Sequence, residues 1–318
     1  MTTPRVSVCI VTYNHERYIH DCLMTVVAQA GDISLEILVG DDRSTDRTEE
    51  IVRALVAQFP NVIRYFRHEN QLGPGGNYQF LIGRATGEYI AHLDGDDYWL
   101  PGKLKGQVSL LDNNAGVIAC YANALCIDDS GVPLGVFNNL QPERFEIKYL
   151  LKKGNFLNHS SLIYRSGAGK EICGWPPNFL DYKIHLMLAS KGCLSYVNSF
   201  MVVYRVNSVA SLVKNHGEKV QALYWETICR LSLEGRADCY IRSASADFLR
   251  RIAFRAIKTR SIRFFLKWWK VVAANQRGNK FRLALLTLVN IVLTGYRAAM
   301  TRFAAIVGGA RLRVLYWR

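Results

Sequence analysis

Over its first 125 residues the chain alternates short apolar runs with segments of helical period, and few folds accept that alternation. Residues 6–11, 35–40, 62–66, 89–93 and 117–122 read as strands, and residues 17–29, 48–58, 78–84 and 103–111 read as helices. The first helix has its apolar side chains on one face, at Ile19, Cys22, Leu23, Val26 and Val27. Asp46 is placed to cap the second, with Glu49 three residues on to return the bond. Strand-helix alternation of this kind predicts an α/β fold: a Rossmann-like, mostly parallel sheet with helices on both faces. Gly73-Pro74-Gly75-Gly76 reads as a turn, because neither the Lys-Ser/Thr of a phosphate loop nor a dinucleotide fingerprint accompanies it.

Charge divides the chain near residue 214. Residues 1–214 carry 20 Lys and Arg against 21 Asp and Glu, the remaining residues carry 20 against 5, and no acid follows Asp247. A nearly neutral body (1–214) thus precedes a basic, mainly helical region (215–318). Its most apolar run, residues 283–295, would span about 20 Å as a helix, short of a hydrocarbon core of about 30 Å. Arg263-Phe264-Phe265-Leu266-Lys267-Trp268-Trp269-Lys270 mixes cations with aromatics as interfacial helices do, so peripheral contact with an anionic membrane is expected. The rival reading is a helical extension packed on the body or on a second subunit, as in a homo-oligomer. No recognition motif accompanies the charge, so nucleic acid is not an expected partner. The eight cysteines form no Cys-x-x-Cys pair, which suits a reducing compartment, and the N-terminus lacks the pattern of a secretion signal. A cytoplasmic location is expected.

The chemistry gathers at strand ends. Asp94-Gly95-Asp96-Asp97 follows the fourth strand, and carboxylates this close repel one another unless a cation or hydrogen-bond donors lie between them. Hard oxygen ligands suit Mg²⁺ or Mn²⁺ bridging to a phosphate. Thr12-Tyr13-Asn14 follows the first strand and Asp41-Asp42 the second, and all of these fall on the rim where open α/β sheets bind ligands. An aromatic to stack on a base, a carboxylate for base or ribose and an acid pair for a metal together fit a nucleoside diphosphate.

These stretches, with Val6-Ser7-Val8-Cys9-Ile10-Val11-Thr12-Tyr13-Asn14 at the start and Gly87-Glu88-Tyr89-Ile90-Ala91-His92-Leu93 leading into the acids, resemble family 2 glycosyltransferases of the GT-A fold over residues 5–210. The resemblance implies an inverting transfer from a nucleotide sugar to a saccharide or lipid-linked acceptor, in surface polysaccharide or glycolipid synthesis. It implies that Asp42 binds the base with Tyr13 stacked nearby, that Asp94 lies toward the ribose, and that Asp96, with Asp94, holds the divalent ion. Asp97 would hold the loop or assist the metal. Asp181-Tyr182 is similar to the family signature that supplies the catalytic base, although Leu180 replaces the usual Glu. Tyr204-Arg205, with Ser208 and Ser211, is similar to the loop that closes on the diphosphate, where the fork of Arg205 suits phosphate oxygens. His159, in the stretch similar to the acceptor-side strand, is a candidate acceptor contact. The other histidines, His92 and His185 among them, show no ligand spacing and read as structural. Two alternatives stand beside this: a sugar nucleotidyltransferase, and an inactive nucleotide- or carbohydrate-binding scaffold.

Overall fold

The computed structural model describes residues 4–31, 33–206, 217–233, 238–275, 279–307 and 313–316. Ser208 and Ser211 lie outside them.

Strands β1 (Val6–Thr12), β2 (Leu35–Asp41), β3 (Ile63–Arg67) and β4 (Tyr89–Asp94) pair in parallel in the order β3-β2-β1-β4. The chain leaves β1 toward β2 and β3 on one side and returns to β4 on the other. That reversal opens a crevice at the carboxyl ends of β1 and β4, the place where such sheets bind ligands. Beyond β4 the sheet is mixed. A short β9 (Ile163–Arg165) runs antiparallel between β4 and β6 (Val117–Ile127), and β7 (Pro133–Asn138) runs antiparallel to β6. The long β10 (Cys193–Arg205) lies parallel to β6 and is bulged between Val197 and Val202. It also pairs with β5 (Tyr98–Trp99) and β8 (Arg144–Phe145), and β11 (Val314–Tyr316) closes the far edge on β7.

Alternation along β1 sends Val8 and Ile10 into one apolar cluster and Cys9 and Val11 into the other, so both faces of the sheet are covered. Helices α1 (Ile19–Val27), α2 (Thr48–Gln58) and α4 (Lys103–Asp112) cover one face, α3 (Gly73–Ile82) the other. Two readings of the N-terminal half need correction. Gly73–Gly76 is no free turn but the first turn of α3, with Pro74 early in the helix, where its missing N–H costs nothing. Glu49 does not complete a capping box; it pairs with Arg53 and Arg67, and Asp46 alone accepts from the Thr48 N–H at 3.0 Å.

Helices α5 (Ile147–Lys153), α6 (Ser166–Gly169) and α7 (Asp181–Lys191) follow. Beyond them stand α8 (Gly217–Leu233), α9 (Asp238–Lys258), α10 (Ile262–Ala274) and α11 (Lys280–Val307). The last four are not a free tail. Tyr224, Trp225, Phe248, Trp268 and Leu283 belong to the apolar cluster that holds Tyr78, Tyr164 and Tyr182 of the body. Residues 283–295 are part of the 28-residue α11, about 42 Å long, so the helix runs well beyond the apolar run while the run itself stays short. Among the described residues no helix is both long and apolar enough to cross a membrane.

Candidate active site

The crevice is a cleft of about 370 Å³ lined by Tyr13, Asp42, Asp94, Asp96, His159, Asp181 and Arg205, so seven of the eight expected site residues face one space. Asp97 alone is turned away from it. A larger hollow of about 670 Å³ opens at the opposite edge of the sheet, where Arg5 is paired with Glu88 and Asp112. Arg5, Glu88 and Asp112 there are paired with one another, whereas the acids of the cleft and Arg205 face a common space.

The loops after β1 and β2 are laced into one platform. Asn14, at a left-handed φ of 53°, accepts from the Thr45 N–H at 2.8 Å and gives its own N–H to Ser44 Oγ at 2.9 Å. Asp46 accepts from the Glu16 N–H, and Glu16 accepts from the Arg47 N–H, both at 3.0 Å. This lacing holds Tyr13 and Asp42 on the wall of the same cleft. Asp42 is buried and accepts from the Leu72 and Gly73 N–H groups at 2.6 and 3.0 Å, so it also satisfies the entrance of α3. The neighbouring Asp41 faces inward, accepting from Tyr65 Oη at 2.5 Å and the Ser44 N–H at 2.7 Å.

The acidic triplet splits into two roles by direction. Asp94 and Asp96 face the cleft. Asp97 is buried and accepts from Ser160 Oγ at 2.6 Å and from the Arg205 N–H at 2.8 Å. Burial, then the charges of Asp96 and Asp94, push the Asp97 carboxyl well above its ordinary value. Burial works in the same direction on Asp94, but its histidine neighbours together, His92 first, which donates to it across 3.0 Å, hold that carboxylate below its usual range. Gly95 is required between them: a Cβ there would stand 2.8 Å from both His15 Nδ1 and Thr12 Oγ1.

These residues fit a divalent ion. Two carboxylates face the cleft, and the repulsion that lifts Asp97 is what a cation would relieve. Among the described residues no three His, Cys, Asp or Glu form a ready cage, so phosphate and water oxygens would complete the coordination, as is usual for Mg²⁺. Arg205 closes this side. Its Nε donates to the Asp96 carbonyl at 3.1 Å, its Nη1 to the Asp128 carbonyl at 3.0 Å, and its guanidinium lies 4.2 Å from the Tyr18 ring centre. Carbonyl and ring partners leave a guanidinium its full charge at the rim.

Asp181 opens α7 and accepts from the Tyr182 N–H at 2.7 Å and from Asn155 Nδ2 at 3.0 Å. Leu180 joins the cleft wall through apolar atoms that pack against the core. Sequence reading missed the company of His159. Its ring lies 3.9 Å from that of His92, its Nδ1 is 3.2 Å from His185 Nε2, and His185 Nδ1 is 3.1 Å from Asn155 Oδ1. These four residues come from separate elements, so no local spacing announces them.

A model described as glycosyl transferase family 2 matches residues 7–170 of the chain. An uncharacterized protein of Mycobacterium tuberculosis is 30% identical over 204 residues, covering 63% of this chain and 58% of that protein. The chain therefore spans less than two thirds of the length of that curated relative. The crystal structure of S. aureus TarS 1-349 in complex with UDP-GlcNAc superposes with a TM-score of 0.63 at 19% identity, covering 93% of this chain and 92% of the other. Mannosyltransferase PcManGT from Pyrobaculum calidifontis, in complex with GDP-Man and Mn²⁺, superposes with a TM-score of 0.56 at 16% identity, covering 96% and 86%. At these identities the two structures speak for the fold.

Proposed function

The chain belongs to glycosyl transferase family 2, and from that premise we propose that it moves a sugar from a nucleoside diphosphate sugar to a hydroxyl of a saccharide or lipid-linked acceptor, with inversion. One observation carries the reading: Asp181 and the Asp94–Asp96 pair line the same cleft as Tyr13 and Asp42. Tyr13 and Asp42 receive the base and Asp94 lies toward the ribose. Asp96, with Asp94, would hold Mg²⁺ or Mn²⁺, which when bound offsets charge on the diphosphate. Asp97 holds the loop through Ser160 and Arg205, and Arg205 meets the phosphate side.

The reaction is a single displacement. Asp181 takes the proton of the acceptor hydroxyl as that oxygen bonds to the anomeric carbon. The bond from that carbon to the diphosphate oxygen breaks, and the nucleoside diphosphate leaves with the electron pair. Attack opposite the leaving group inverts the anomeric centre. The test is nucleoside diphosphate release with and without acceptor, following a thermal-shift screen of nucleotide sugars with Mn²⁺. Pyrophosphate-dependent exchange would point instead to nucleotidyl transfer, and donor binding without release to an inactive scaffold.

The acceptor side of the proposal includes an anionic membrane surface. Phe281, Leu285, Leu288, Val292 and Tyr296 are exposed at helical spacing along α11, with Lys280 and Arg282 at its start. Flotation with phosphatidylserine vesicles tests this: Leu288→Glu with Val292→Glu should abolish binding. Equal flotation of both forms, or a stable dimer that the pair of substitutions disrupts, would refute it.

A further inference from the structure

A row of polar side chains runs from the residue proposed as base toward the acid pair, hydrogen-bonded as far as His159 and carried on to His92 by a ring contact. Asp181 Oδ1 meets Asn155 Nδ2, Asn155 Oδ1 meets His185 Nδ1, and His185 Nε2 meets His159 Nδ1, at 3.0, 3.1 and 3.2 Å. The His159 ring lies against that of His92, whose Nε2 reaches Asp94 Oδ1 at 3.0 Å. Tyr78 abuts both rings edge-on, at 4.6 and 5.7 Å, and Tyr121 abuts His185 at 5.1 Å. The walls of the chain are aromatic, and His185 is fully buried.

The order of donors follows from the end. A carboxylate only accepts, so Asn155 turns its NH₂ to Asp181 and its carbonyl to His185. His185 must then carry its proton on Nδ1, which leaves Nε2 bare in the neutral ring. His159 must therefore carry its own proton on Nδ1, and its Nε2 is left as an acceptor. Burial first, then His92, lowers the pKa of His185 to about 3, and burial with the neighbouring rings lowers His159, so both rings are neutral. At the other end His92 gives its Nε2–H to Asp94, and its buried Nδ1 has no partner among the described residues. That suits a bare nitrogen, since orphaned buried N–H groups are the rarer case.

Resting on the reading of Asp181 as base, we propose that Asn155 and His185 are positioning residues. They fix the Asp181 carboxylate and set His159 as its Nδ1–H tautomer, so that His159 Nε2 accepts a hydrogen bond from a sugar hydroxyl in the cleft. An amide does not readily relay a proton, so the chain orients Asp181 and does not drain it. A site built to accept from a hydroxyl discriminates against sugars that lack it.

The test begins without a variant. Long-range proton–nitrogen correlation spectra of the full chain labelled with ¹⁵N-histidine should show His159 and His185 protonated on Nδ1 and His92 on Nε2. His159 protonated on Nε2 would overturn the proposal. His185→Leu should move His159 toward the Nε2–H form and lower kcat by about tenfold to a hundredfold while donor KM stays within a few-fold. His185→Gln, which keeps a donor and an acceptor, should recover much of the rate. Unchanged kcat in His185→Leu would refute the positioning role even if Asp181→Asn is inactive. An active Asp181→Asn with the expected tautomers would instead refute the base and leave the chain of hydrogen bonds standing.

Discussion

The Arg205 N–H donates to Asp97 Oδ1 at 2.8 Å, tying the end of β10 to the acidic loop after β4 across 108 residues of sequence. The same carboxyl accepts from Ser160 Oγ at 2.6 Å. Three segments of the cleft therefore share one buried group, and they should fail together.

Asp97→Ala leaves the Arg205 N–H without its acceptor and the Ser160 hydroxyl with only the longer contact to Asp94, at 3.4 Å. The buried N–H left unpaired should cost about 1–3 kcal/mol. Urea unfolding reads the loss, and Asp97→Asn, which keeps one acceptor, should lose less. Equal stability of all three forms would contradict the shared-anchor role.

Gly95→Ala places a Cβ 2.8 Å from His15 and Thr12, below any normal carbon contact. The loop must shift, and Asp94 and Asp96 shift with it. Metal-dependent donor binding, followed by calorimetry, should weaken by at least tenfold while the secondary structure is retained.

Lys103 is fully buried 3.9 Å from the Trp99 ring centre, and its Nζ has no hydrogen-bond partner among the described residues. Burial lowers its pKa to about 7. Between about 7 and the ordinary 10.5 the unfolded chain holds a proton that the folded chain has released, so this group makes stability rise with pH across that window. Below about 7 the folded protein carries the full cost of the buried charge. Lys103→Met should stabilise the protein by about 1–4 kcal/mol at pH 6, with the gain shrinking toward pH 10. Thermal unfolding at several pH values checks both sign and trend.

Tyr182 of α7 stacks on Tyr224 of α8 at 4.5 Å between ring centres and 14° between planes. Removing residues 215–318 would bare Tyr182, buried beside Asp181 in the first turn of α7. The shortened chain should lose cooperative unfolding and donor binding together. Full donor affinity in that chain would show that the basic helices only decorate the body.

Much of this was legible in the sequence, and the exceptions have physical causes. β1, β2 and β4 are mostly apolar, broken inside by only Ser7, Glu36 and His92, because both sheet faces are covered, and the acids begin at the last residue of β4. The first turn of α3 was not legible, because Gly-Pro-Gly-Gly has poor helix propensity. What holds it there is remote: Asp42 accepts the N–H groups at its entrance, and Gly75 lies so close to Pro177 that a Cβ would stand 2.2 Å from its carbonyl. The extent of α11 was missed for the opposite reason. An apolar run marks what a helix exposes or buries, whereas good helix formers such as Lys280, Arg297 and Ala299 carry the helix beyond that run. The chain of His92, His159, His185 and Asn155 left no trace, since sheet order alone brings β4, the turn at 159–161 and α7 together.

The central claim is that Asp181 takes the acceptor proton in a cleft whose opposite duty is to hold the nucleoside diphosphate. The direct measurement is acceptor-dependent nucleoside diphosphate release by Asp181→Asn, with donor affinity measured on the same preparation. Turnover should fall by about a hundredfold to ten-thousandfold at nearly unchanged donor affinity. Turnover near that of the unaltered protein would contradict it.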